Sequence, residues 1–254
     1  MTLPHVVVGV DGSLVSVRAL DQAAEEAARR GTALRVVFAV SDRDEAGPVL
    51  AFAASRVHER HPALPVETRA VEDGVVRALA RESADAVLTV IGTRGLGTLT
   101  GLVCGAVSAR LATRAHGPLL VVRGERPHLD RCDVLLGLEA DTGTTAALYA
   151  LDEADRRGAR LRVLHSGTHR HPPVELPSPI PATSPGRERR PSPEAESRTI
   201  RTAPAHALVE ATKDAAVVVI GSHRPGSRDG GHLGPVADAL LHHSHCPVVV
   251  VPTG

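Results

Sequence analysis

The chain repeats itself, and that duplication limits its fold more than any other feature. Val6-Val7-Val8-Gly9-Val10-Asp11 returns as Val134-Leu135-Leu136-Gly137-Leu138-Glu139, and Arg29-Arg30-Gly31 returns as Arg156-Arg157-Gly158. Val90-Ile91-Gly92-Thr93 returns as Val219-Ile220-Gly221-Ser222, and His116-Gly117-Pro118 as His245-Cys246-Pro247. The offsets are 128, 127, 129 and 129 residues. A period of this length is a duplicated domain and not a solenoid repeat. Each half also shows which positions the other has changed.

The 254 residues therefore divide into two domains, expected at 1–124 and 131–254 with a short join between them. Each half, at roughly 125 residues, can bury a useful core. Phe38, Phe52 and Tyr149 are the only aromatic residues, so Ala, Val and Leu must fill that core. Small aliphatic side chains suit helices packed closely on a parallel sheet.

With 29 basic and 29 acidic residues, no net field draws the chain to nucleic acid or to an anionic membrane. No apolar run is long enough to span a bilayer, and residues 1–5 open straight into a strand pattern without a signal peptide. Cys104, Cys132 and Cys246 form an odd, widely spaced set, which argues for reduced thiols in a cytoplasmic protein.

In the first half, residues 6–10, 36–40, 87–91 and 119–122 are short continuous apolar runs, as expected of strands buried on both faces. Residues 66–71 alternate in the manner of an edge strand. Helical patterns lie between these runs. One starts at Ser13, a good N-cap, turns Val17, Leu20, Ala24, Ala27 and Ala28 inward, and stops at Gly31. Others are expected at about 49–60, 73–83 and 105–115. Alternating strands and helices predict a doubly wound α/β sheet with right-handed crossovers. The second half copies this plan except at 168–197. Eight prolines there forbid a helix and predict an exposed, largely disordered loop inside the second domain.

After the fourth strand the sequence reads Gly92-Thr93-Arg94-Gly95, then nine residues, then Gly105-Ala106-Val107-Ser108 at the start of a helix. The amides of residues 105–108, with the positive end of the helix dipole, make an anion site suited to phosphates. Asp11, at the tip of the first strand and at the switch point of the sheet, can accept hydrogen bonds from a ribose.

This Gly-x2-Gly-x9-Gly pattern, together with Val8-Gly9-Val10-Asp11-Gly12-Ser13, resembles the universal stress protein family. The resemblance covers essentially the whole chain as a tandem pair. It implies two Rossmann-like, five-stranded sheets of order 3-2-1-4-5, an adenine nucleotide as ligand, and pairing of the two final strands within one chain as a pseudo-dimer. Carried over by position, Val10, Asp11, Val40 and Ile91 would belong to the nucleotide site, with Asp11 on the ribose and the Val40 backbone by the adenine. Gly92, Gly95, Gly105, Ala106, Val107 and Ser108 would hold the phosphates. ATP, AMP and cyclic AMP are the candidates, with Mg2+ as a companion to ATP, and a homodimer is a further assembly to test. The family usually has Ser or Thr where this chain has Ala106. One lost hydrogen bond to a charged phosphate is worth about 1.5–3 kcal/mol, or about one to two decades of affinity.

The second half has lost more of the pattern. Arg224 replaces Gly95, Pro235 replaces Ala106, Ala237 replaces Ser108, Ala140 replaces Gly12 and Glu139 replaces Asp11. Pro235 is comfortable as a first helical residue, but it deletes an amide. A structural or regulatory role, as partner of the first domain, is expected there. His242-His243-Ser244-His245-Cys246 does not make a metal site, because neighbouring helical side chains diverge and no further ligand completes a tetrahedron. No nucleophile–base–orienter set is visible, so an enzyme such as a slow ATPase ranks behind a nucleotide sensor and a nucleotide-free scaffold.

Overall fold

Runs of β-branched residues separated by amphipathic segments build a single layered sheet. The computed structural model describes residues 3–40, 43–93, 106–123, 133–138, 143–166, 195–200, 204–223 and 233–253. The first half contains β1 (His5–Gly9), α1 (Leu14–Arg30), β2 (Ala33–Val40), α2 (Gly47–Arg60), β3 (Val66–Glu72), α3 (Val75–Glu82), β4 (Ala86–Gly92), α4 (Ala106–Ala112) and β5 (Leu119–Val122). The second contains β6 (Asp133–Leu138), α5 (Gly143–Arg157), β7 (Leu161–Ser166), β8 (Ala195–Ile200), α6 (Pro204–Ala211), β9 (Ala215–His223), α7 (Pro235–His243) and β10 (Val248–Thr253).

The strands lie in the order β3-β2-β1-β4-β5-β10-β9-β6-β7-β8, which is 3-2-1-4-5 in each half. All neighbours are parallel except β5 and β10, which pair antiparallel and join the halves into one ten-stranded sheet. At this seam Leu119, Leu120 and Val121 face Val250, Val249 and Val248. Leu120 and Val249 are the same position in the two repeats. Repeat-equivalent residues facing each other across antiparallel strands are the mark of an isologous, two-fold contact.

Alternation along each strand splits the core into two layers. Val6, Val8, Val36, Leu88 and Val90 lie under α1 and α2, in a layer that continues across the seam to the buried alanines of α5. Val7, Val37, Ile91, Leu119 and Val121 face the layer of α3, α4, α6 and α7. Covering both faces is what allows the strands to be continuously apolar.

Local sequence fixes the helix ends. The Ser13 hydroxyl accepts the Ser16 amide at 3.2 Å, and Gly31 closes α1 at φ 63°, a conformation glycine adopts without Cβ strain. One inward assignment is corrected: Ala28 is exposed, and the buried stripe of α1 runs through Ser16, Ala19, Leu20, Ala23, Ala24, Glu26 and Ala27. The stretch 168–197 is corrected at its end. Residues 195–197 belong to β8, because the last proline is Pro193 and nothing beyond it prevents pairing with β7. The rest of that stretch lies outside the described residues.

The sequence reading missed a buried ionic ring between α1 and α5. Glu26 and Glu153, repeat equivalents, are each 1% exposed. Arg30 donates to Glu153 at 2.8 Å and to Glu26 at 3.1 Å. Arg157 donates to Glu153 at 2.6 Å and also to Glu26. Each carboxylate thus holds two arginines of its own helix, Arg29 and Arg30 for Glu26 and Arg156 and Arg157 for Glu153, and one from the other half. Tyr149 breaks the symmetry: its hydroxyl accepts from Arg30 at 3.0 Å, and its ring lies 5.7 Å from the Arg30 guanidinium and 5.8 Å from that of Arg156. Burial pushes the Tyr149 phenol well above its ordinary range.

Candidate functional site

Of the residues singled out by sequence, Val10, Asp11, Val40, Ile91 and Gly92 lie at the carboxyl ends of β1, β2 and β4. β1 and β4 are adjacent parallel strands, so the residues after Gly9 and those at Gly92 leave the sheet side by side at its carboxyl edge. The chain turns in opposite directions from β1 and β4, which makes this the switch point of the fold. The crossovers return antiparallel to the strands, so α1 and α4 both begin at this edge.

Asp11 and the start of α1 form the best-defined part of the site. The Val10 amide donates to Val37 O at 2.9 Å, anchoring the end of β1 to β2. Gly12 follows at φ 80°, which turns the chain out of the strand and into α1. Asp11 Oδ1 then accepts the Ser13 amide at 3.0 Å. Asp11 Oδ2 is buried and has no hydrogen-bond partner among the described residues. A buried carboxylate oxygen left without a donor is unfavourable, by about 1–3 kcal/mol or more for a charged group, unless a ligand or water satisfies it.

Gly92 has a packing role that sequence did not reveal. A Cβ there would lie 2.7 Å from Val15 Cγ1 and 3.1 Å from Val15 O, so the first turn of α1 touches the backbone at the end of β4. Since the Val15 backbone cannot move without moving the helix start, Gly92→Ala is expected to destabilise the fold by about 1–3 kcal/mol. A urea midpoint equal to that of the parent would contradict this close approach.

The other assigned positions fall as follows. Val40 ends β2, half-buried, paired with Glu72. Ile91 and Ser108 are buried and Val107 is half-buried, while α4 starts at Ala106. Gly95 and Gly105 lie outside the described residues, as do Glu139, Ala140 and Arg224 of the second half. There, Gly234 caps α7 and Pro235 is its first residue, without an amide hydrogen.

Other chemistry is sparse. Among the described residues no group of three or more His, Cys, Asp or Glu is placed to hold a metal ion, and no helix is long and apolar enough to cross a membrane. The His242 ring bonds the Asp238 carbonyl one turn back at 2.8 Å, and Cys246 is buried.

Comparison with known proteins agrees with this geometry. The model of the universal stress protein family matches residues 3–123 and again 133–252. The chain belongs to the universal stress protein family. A universal stress protein of Mycolicibacterium smegmatis is 32% identical over 284 residues, covering 97% of this chain and 96% of that protein. One from Mycobacterium tuberculosis is 30% identical over 300 residues, covering 96% and 94%. A crystal structure of a universal stress protein from Archaeoglobus fulgidus superposes with a TM-score of 0.74 at 18% identity, covering 98% of both chains, a likeness of fold. This universal stress protein is thus a tandem form, with both copies in one continuous sheet.

Proposed function

We propose that the first domain, residues 1–124, is a receptor for an adenine nucleotide, ATP, AMP or cyclic AMP, and that the chain acts as a stress-response sensor or regulator. The observation that carries this reading is Asp11. One oxygen is fixed by the Ser13 amide, and the other is buried and unpartnered at the switch point of the sheet. A ribose hydroxyl placed there would supply the missing donor. In this reading Val10, Val40 and Ile91 flank the nucleoside, and the amides of Gly92, Gly95, Gly105, Ala106, Val107 and Ser108 face the phosphates. Mg2+ would arrive with the phosphates of ATP, since the described residues offer no metal cluster of their own.

The second domain, residues 131–254, is proposed to be a partner for the first. Pro235 at the first position of α7 favours this, because it removes an amide that a phosphate would need. The same observation supports the second reading, a nucleotide-free scaffold. Calorimetric titration with ATP, AMP and cyclic AMP decides between them. One saturable site per chain is the expected result; no heat at millimolar nucleotide overturns the receptor reading and leaves the scaffold.

A further inference from the structure

The first half contains a hollow of about 630 Å³ at the amino edge of the sheet, opposite the proposed nucleotide site. It sits between the end of α1, the segment before β1 and the turn that joins α2 to β3. Its size falls within the roughly 300–1,000 Å³ of small-molecule sites.

The hollow exists because the residues around it are small. Ala27, Ala28, Gly31 and Ala33 form one wall, and a Cβ added at Gly31 would meet nothing within 4 Å. The opposite wall is pinned. The His61 amide donates to Val57 O at 2.8 Å, the Leu64 amide to His61 O at 3.0 Å, and Pro65 O accepts the Leu34 amide at 2.8 Å. Prolines at 62 and 65 stiffen this turn further. The turn that forms this wall is therefore fixed by backbone bonds.

Arg60 is the cationic group that lines the hollow, with His61 and Thr32 as further polar side chains, and no acidic residue among the described ones lines it. Asp21 is held by Arg56 through two bonds of 2.7 Å. Arg60 approaches the same carboxylate at 4.0 Å, the outer limit of an ion pair, and keeps half its side chain in solvent, where a second anion can reach it. The duplication supplies a control. The second half has Arg160 at the position of Ala33, bonded to Asp133 at 3.1 Å and 3.2 Å, where the first half has His5 in place of that acid.

From this we infer a second ligand site in the first domain, for a small amphipathic carboxylate: an alkyl tail among the alanines and Leu64, and an anionic head at Arg60 and His61. It is independent of the nucleotide reading, since no residue is shared and the two lie at opposite ends of α1.

The test is calorimetric titration of the full chain with decanoate below its micellar concentration, alongside decanol and decyltrimethylammonium. Decanoate is expected to bind at one site, at least tenfold more tightly than either control. Arg60→Gln, which removes the charge, and Ala28→Trp, which fills the hollow from an exposed helix position, should each weaken decanoate at least tenfold while keeping the parental melting temperature. No decanoate binding, equal affinity for decanol, or affinity unchanged in both variants would overturn the site.

Discussion

Glu153→Gln should cost about 3–5 kcal/mol of unfolding free energy, because it leaves two buried arginines facing one carboxylate. The Glu153 side chain is 2% exposed, Arg30 is 8% exposed and Arg157 15%, so water can do little to replace the lost charge. Glu26→Gln removes the symmetry-related charge and should produce an effect of similar size. Acid titration gives a second readout. Burial alone would raise the Glu153 carboxyl, but Arg157, Arg30 and Arg156 hold it down to about 2 from an ordinary 4.5. A depressed folded-state value contributes stability that is complete above 4.5 and lost as pH falls from 4.5 towards 2. The parent should therefore lose stability across that window more steeply than Glu153→Gln. Parallel curves, or a variant as stable as the parent at neutral pH, would show that the ring contributes little.

Asp11→Ala should weaken nucleotide binding by about ten- to a hundredfold, the loss of a charged hydrogen bond of about 1.5–3 kcal/mol. Folding should change far less, because among the described residues Asp11 Oδ2 has no partner to lose and Oδ1 makes one local bond, to Ser13. Comparing AMP with inorganic triphosphate locates the effect. If Asp11 addresses the sugar, AMP affinity should fall and triphosphate affinity should hold. Equal losses for both would move Asp11 away from the ribose, and unchanged AMP affinity would remove it from the site.

How much could be read from sequence depended on how local the cause was. The strands were legible because parallel strands covered on both faces must be apolar throughout, and the ends of α1 because Ser13 and Gly31 each act on their own turn. The strand order came from the family resemblance, not from periodicity. The ring stayed hidden because Glu26 and Glu153 look like ordinary helix-surface acids within their own segments. Their burial follows only when α1 meets α5 across the seam. A signal was present: Glu26–Arg30 and Glu153–Arg157 have the same four-residue spacing at the same repeat offset. Gly92 was read as a phosphate-holding glycine, and the contact that requires it comes from Val15, far away in sequence.

Covalent fusion also changes what evolution can do near the symmetry axis. In a dimer of identical chains every substitution at such a contact is made twice, once in each copy. Here Tyr149 occupies the repeat position of Gln22 and bonds Arg30, a one-sided arrangement that two identical subunits could not encode. Joining the copies released each from self-complementarity, and one half became free to specialise while the other kept the shared architecture intact.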